Sequence, residues 1–266
     1  MNISSDPGAA GVRVLIIDDD PLSLKIISLQ LGAFGYDAAT AAGGEEALQA
    51  LTAMTPQVRP EILLVDLHIP GLSGRELTQQ LRKLVGSDAR IIAMSASTPG
   101  SEDIDCFDGF VLKPLDPQLF QKFLRERRTE KDGPEHSGPV QASLRKTAGS
   151  AISSEGVLDP GVLSKLRGMM SPAAVSEVLD AFIEDTHARV GRMRAAASAG
   201  DIAQLRAEAH AVKGSAGMVG AQKLAGICDV IEGEGYQGLG TVQLLDTMAE
   251  ELLQLQYRVV ATRSNI

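Results

Sequence analysis

Two sets of residues in this chain have types and spacings that suit phosphoryl chemistry. Towards the C-terminal end runs His210-Ala211-Val212-Lys213-Gly214-Ser215-Ala216. On a helix, Lys213 and Gly214 stand three and four residues beyond His210, one turn along the same surface. The imidazole can accept a phosphoryl group there, and the ammonium can balance its charge. Gly214 weakens a helix by roughly 1 kcal/mol relative to alanine, and the bare backbone lets another protein approach closely. The second set is Asp18-Asp19-Asp20, Asp66, Ser95 and Lys113-Pro114, each following a short apolar run. Three or more carboxylates a few ångströms apart cannot all stay ionised without a counter-ion, and oxygen-only donors with open positions suit Mg²⁺. Taken singly, these residues have plainer readings. His210 would be a surface histidine, Gly214 a packing glycine, Asp66 a loop carboxylate before Pro70-Gly71, and Lys113 a neutraliser of an acidic edge. Asp20, ahead of Pro21, is assigned the plain role of a helix N-cap.

The elements that must position these residues are legible in the hydrophobic pattern. Ile202, Leu205, Ala209, Val212 and Ala216 recur at intervals of three and four between Asp201 and Met218, an amphipathic helix with His210 off its apolar stripe. In the first half, apolar runs at Val12 to Ile17, Asp37 to Ala41, Glu61 to Val65, Arg90 to Met94 and Gly109 to Leu112 alternate with helical patterns. Those patterns lie at Pro21 to Ala33, Gly44 to Met54, Gly74 to Leu84 and Pro117 to Arg125. This βα repeat predicts an α/β doubly wound, five-stranded parallel sheet covered on both faces. Such sheets carry their chemistry outside the carboxyl ends of the strands, where the second set falls.

Composition narrows the function further. The 266 residues suggest about two domains, and 44% apolar residues suffice for their cores. Trp is absent, aromatics make up 3% and the net charge is -9, so nucleic acid and anionic membrane surfaces are not expected as partners. Cys106 and Cys228 fall in separate segments, which points to neither a disulfide framework nor a zinc cluster. No secretory signal and no run long enough for a membrane span is read, and a cytoplasmic protein is expected. The expected division is a disordered tail over 1–11, one domain over 12–127, a charged and Ser/Ala/Gly-rich flexible linker over 128–156, and a second domain over 157–266.

From about Gly156 onward, the chain resembles a histidine phosphotransfer (HPt) domain. The matching features are Phe182, Gly200-Asp201, the His-x-x-Lys-Gly-Ser-Ala run, Gly220-Ala221 and Leu224-x-x-x-Cys228. The resemblance implies an all-α four-helix bundle in which His210 carries a phosphoryl group between receiver aspartates and Lys213 is its charge partner. Over roughly Gly11 to Arg127 the chain resembles the receiver domain of two-component response regulators. By that likeness Asp18 and Asp19 are the Mg²⁺-binding pair and Asp66 the phosphorylated aspartate, followed by Pro70 and Gly74. Ser95-Ala96 is the switch hydroxyl, Lys113 the lysine that contacts the phosphoryl group, and Phe110 the aromatic switch. The metal would be held by Asp18 or Asp19, Asp66 and the main-chain oxygen of His68. Phosphorylation would draw Ser95 towards the phosphoryl group and open a space for Phe110. Between Ser95 and Phe110 the chain is about one helical turn shorter than is usual, with Thr98-Pro99-Gly100 where a fourth helix should begin. A stub is expected there, and dimerisation through that face is not.

No ATP-binding kinase signature and no DNA-binding module is read, so the leading expectation is a phosphorelay protein, not an ATP-dependent kinase. Asp66 would take a phosphoryl group from a sensor histidine kinase of the hybrid type, and His210 would pass it to the receiver domain of a downstream response regulator. A flexible linker of the expected length spans roughly 30 Å, which allows transfer within one chain without requiring it. In an alternative reading, the receiver gates an HPt domain that serves a separate kinase. A third makes Asp18-x-Asp20 the nucleophile and general acid of a haloacid-dehalogenase-like phosphatase, which would leave Asp66 without a role. A fourth uses both surfaces only for docking.

Overall fold

The computed structural model describes residues 11–72, 74–96, 98–126, 157–233 and 239–263. The described residues fall into two compact units. Of the expected disordered tail over 1–11, residues 1–10 lie outside the described residues, whereas Gly11 is ordered, its amide donating to Gly35 O at 3.3 Å; the linker over 128–156 also lies outside them.

The first unit runs β1 (Arg13–Ile17), α1 (Pro21–Ala33), β2 (Asp37–Ala41), α2 (Gly44–Ala53), β3 (Ile62–Asp66), α3 (Gly74–Val85), β4 (Arg90–Ser95), α4 (Ser101–Ile104), β5 (Gly109–Leu112) and α5 (Pro117–Glu126). The five strands are all parallel in the order β2-β1-β3-β4-β5. The reversal between β1 and β3 makes the topological switch point beside which such sheets place their sites. Successive side chains alternate between the faces. Leu15, Ile17, Leu63, Val65, Ile91 and Ala93 join Leu51, Leu77 and Leu81 in one aliphatic layer under α2 and α3. α1 starts where Asp20 accepts a hydrogen bond from Leu22 N and Pro21 takes the first helical position, as its plain reading predicted. α2 enters against the loop after β3 because Gly44 has no Cβ: one there would lie 2.6 Å from Leu72 O. α4 is the expected stub, a helix of four residues.

The second unit runs α6 (Pro160–Met169), α7 (Pro172–Ala199), α8 (Ile202–Val219), α9 (Gln222–Gly233) and α10 (Leu239–Arg263). α7, α8, α9 and α10 each pack on two neighbours in the cycle α7-α8-α9-α10, a four-helix bundle, and α6 lies against α7 and α8. Sharp connections hold the long helices in place. Gly200 and Gly220 take positive φ angles of 71° and 83° after α7 and α8, and the Asp201 side chain caps α8 through Gln204 N. Leu205, Ala209, Val212 and Ala216 are buried as their spacing predicts, together with Phe182, Met193, Cys228, Met248 and Leu252. Ile202 departs from the stripe: it is 40% exposed, in a first turn of α8 whose residues 202–204 are all exposed. No helix among the described residues is long and apolar enough to cross a membrane.

Candidate functional site

Strand register assembles the first site. Asp66 is paired with Met94 and Ser95 with Leu112, so Asp66, Ser95 and Lys113 emerge at one edge of the sheet beside Asp18 and Asp19. The Lys113 amide donates to Ser95 O at 2.8 Å, which fixes the start of its side chain. Its Nζ reaches across β4 and β3 to lie 2.7 Å from both Asp18 Oδ2 and Asp66 Oδ2. Both carboxylates are almost fully buried, and Asp19 is exposed at the rim. Asp66 Oδ1 accepts from the His68 amide at 3.3 Å, and Asp18 Oδ1 from the Asp20 amide at 3.0 Å. The side chain of His68 is exposed.

The electrostatics are those of crowded, buried carboxylates. Burial drives the Asp18 carboxyl up to about 6, with the neighbouring Asp66 adding to the rise and Lys113 opposing it. Burial and the Asp66 charge also raise Asp19. Lys113 goes up as well, because the two carboxylates outweigh the burial that would lower it. Asp18, Asp19 and Asp66 each offer a carboxylate oxygen within 4.8 Å of the others. This hard, oxygen-only donor set, with the Asp18 carboxyl raised by burial and by Asp66, fits a Mg²⁺ ion.

Ser95 is buried at the end of β4. Phe110 is 9% exposed and belongs to the main core, with Ile104, Phe107 and Ala93 in the same cluster.

In the second unit His210, Lys213 and Gly214 do share one stretch of α8. Their organiser is α9. Glu232 Oε1 lies 2.9 Å from His210 Nδ1, and its other oxygen accepts from Lys213 Nζ at 2.9 Å. Lys213 also donates to Asp229 Oδ1 at 2.6 Å. The side chains of His210 and Lys213 are 20% and 14% exposed. Burial would raise Glu232, yet the hydrogen bonds from His210 and Lys213 hold it below the usual carboxylate range. An ionised Glu232 can only accept, which makes Nδ1 the protonated nitrogen and leaves the ring's lone pair on Nε2. Lys213 is raised by Asp229 and Glu232 in spite of burial. Gly214, expected as open backbone, is itself buried. Sequence reasoning missed Asp229 and Glu232. Their i, i+3 spacing one residue after Cys228 was the available signal.

An α/β unit with a buried acidic cluster clamped by a lysine, joined to a bundle with a carboxylate-held histidine, defines a two-component signalling protein. Residues 14–125 match the family model of the response regulator receiver domain, and residues 177–258 that of the Hpt domain. The chain is a receiver–Hpt protein. Transcriptional regulatory protein AruR of Pseudomonas aeruginosa is 32% identical over 140 residues, 50% of this chain and 57% of that protein. Sensory/regulatory protein RpfC of Xanthomonas campestris pv. campestris is 26% identical over 222 residues, 80% of this chain and 29% of RpfC. The chain thus spans from about half to under a third of these relatives. Among solved structures, HptB of Pseudomonas aeruginosa PAO1 is 30% identical, covering 42% of this chain and 98% of its own at a TM-score of 0.39. Response regulator TrrA of Thermotoga maritima, solved with Mg(2+)-BeF, is 28% identical, covering 43% and 96% at a TM-score of 0.38.

Proposed function

We propose that this chain is the middle of a phosphorelay. Asp66 accepts a phosphoryl group from a sensor histidine kinase, and His210 passes one to the receiver domain of a downstream response regulator. The observation that carries the reading is that both acceptors are held in place by partners suited to phosphoryl transfer: Lys113 bridges Asp66 and Asp18 at 2.7 Å, and Glu232 fixes the His210 ring at 2.9 Å.

In the first transfer, an Asp66 carboxylate oxygen attacks phosphorus on the donor imidazole. The P–N bond breaks, its electron pair returns to the donor nitrogen, and an O–P bond forms. Lys113 neutralises charge on the phosphoryl oxygens as the carboxylate's own charge is consumed, and the Ser95 hydroxyl donates to one of them. Asp18, Asp19, Asp66 and the His68 main-chain oxygen are the residues that would hold Mg²⁺. When bound, it supplies the positive charge the buried carboxylates lack and shields phosphoryl oxygens from the attacking group. In the second transfer, the Nε2 lone pair of His210 attacks a phosphoaspartate. The P–O bond breaks back to a carboxylate, and Glu232 keeps the Nδ1 proton throughout. Delivery to the downstream aspartate reverses these bond changes.

One feature counts against the phosphatase alternative. A haloacid-dehalogenase-like phosphatase needs Asp20 as general acid, and its carboxylate instead accepts from Leu22 N at 3.2 Å and Ser23 Oγ at 3.1 Å.

Acetyl phosphate with Mg²⁺ is expected to place a base-labile label on the receiver unit that Asp66→Asn abolishes, read by peptide mass spectrometry. Full Mg²⁺-dependent labelling of the variant would remove Asp66 from its role.

A further inference from the structure

The cation beside His210 is not idle. Lys213 Nζ is held by Asp229 at 2.6 Å and by Glu232 at 2.9 Å, and Glu232 also holds the histidine. With the imidazole neutral, the four groups carry one positive and two negative charges. A phosphoryl group arriving on Nε2 adds negative charge beside a cation that already has two carboxylate partners. It must therefore compete for Lys213, and that competition weakens the phosphohistidine relative to the free imidazole. Glu232 cannot be the adjustable partner, because releasing it would free the ring. Asp229 can be: its side chain is 68% exposed and bonds Lys213 without touching the histidine.

We infer that Asp229 is a positioning residue that, by holding Lys213, raises the phosphoryl-transfer potential of His210 and biases the Hpt unit towards giving its phosphoryl group away. The inference rests on the reading of His210 as the carrier. On donation, the Nε2–P bond breaks, its electron pair returns to the ring, and phosphorus bonds to the acceptor carboxylate oxygen. Lys213 then returns to Asp229. A partly exposed ion pair of this kind contributes about 0.2–1 kcal/mol, which corresponds to a change of up to about fivefold in the phosphorylated-to-free ratio.

The test uses the full chain in an Asp66→Asn background, so that His210 is the acceptor followed. Labelling is brought to equilibrium in mixtures of phosphoramidate and ammonium at fixed ratio and pH. In this exchange, ammonia leaves with the electron pair of the broken P–N bond. The phosphorylated-to-free ratio at His210 is read by mass spectrometry. Asp229→Asn is expected to raise the ratio by about 1.4- to fivefold, Lys213→Ala to lower it, and Asp229→Glu to keep the parent value. In the Lys213→Ala background, Asp229→Asn should lose its effect, a coupling that a structural role for Asp229 would not produce. An unchanged ratio in Asp229→Asn overturns the inference, as does an equal effect with and without Lys213. A parent chain whose His210 takes no label at all overturns the carrier reading itself.

Discussion

Asp18 is the residue whose ionisation reports most directly on the first site. Its folded carboxyl stands at about 6 against 3.8 for the unfolded group, so the native state binds more protons across that interval. Stability from this group is therefore greatest near the lower value and is lost as pH rises through the upper one, the reverse of a salt-bridged carboxylate. In chelator the receiver unit is expected to lose of the order of 1–3 kcal/mol between about pH 4.5 and pH 7 through this group. Mg²⁺ should restore much of it at pH 7, and Asp18→Asn should flatten the profile. Denaturant melts at several pH values check this, and a metal-free chain that gains stability over the same rise would contradict it. At the second site, Glu232→Gln can donate to Nδ1 through its amide and so favours the wrong tautomer. Loss of a charge-assisted hydrogen bond and of the orientation it sets should slow phosphoryl transfer through His210 by about ten- to a hundredfold. Stopped reactions with a phosphorylated receiver partner measure that rate, with thermal melts confirming an intact fold.

At the scale of elements, much was legible because local signals agreed. Branched apolar runs closed by Asp18, Asp66 and Lys113 placed β1, β3 and β5 to within a residue, and Asp20-Pro21 marked the start of α1. The length of the segment between Ser95 and Phe110 disclosed the stub α4 before any contact was seen. What escaped was set by packing between elements. Asp229 meets Lys213, and Glu232 meets both His210 and Lys213, only because α9 lies against α8, 16 to 22 residues away along the chain. The turn between α8 and α9 carries its own test. Gly220 has φ of 83°, and a Cβ there would stand 3.0 Å from Val162 Cβ and 3.3 Å from Asp159 N. Gly220→Ala should therefore destabilise the helical unit by about 1–3 kcal/mol, while Gly168→Ala, with nothing within 4 Å, should not. Equal melting points for the two variants would show that the turn does not constrain α6 and α8 together.

For the whole molecule, the order of phosphoryl transfers decides between the readings. A receiver and an Hpt domain in one chain supply an aspartate acceptor and a histidine acceptor in sequence. The relay reading requires the phosphoryl group to visit the first before the second, within one chain or between chains. The measurement that tests this most directly is peptide mass spectrometry after Mg²⁺ and acetyl phosphate on the parent chain, Asp66→Asn and His210→Ala, at several protein concentrations and with acid and base stability of each adduct recorded. The relay predicts an acid-labile label on His210 that disappears in Asp66→Asn, while His210→Ala keeps its base-labile label. A rate independent of concentration would assign the step to a single chain. Label confined to Asp66 in the parent, or label on His210 that survives Asp66→Asn, would contradict transfer between the two and leave the receiver as a regulator of an Hpt unit that serves another donor.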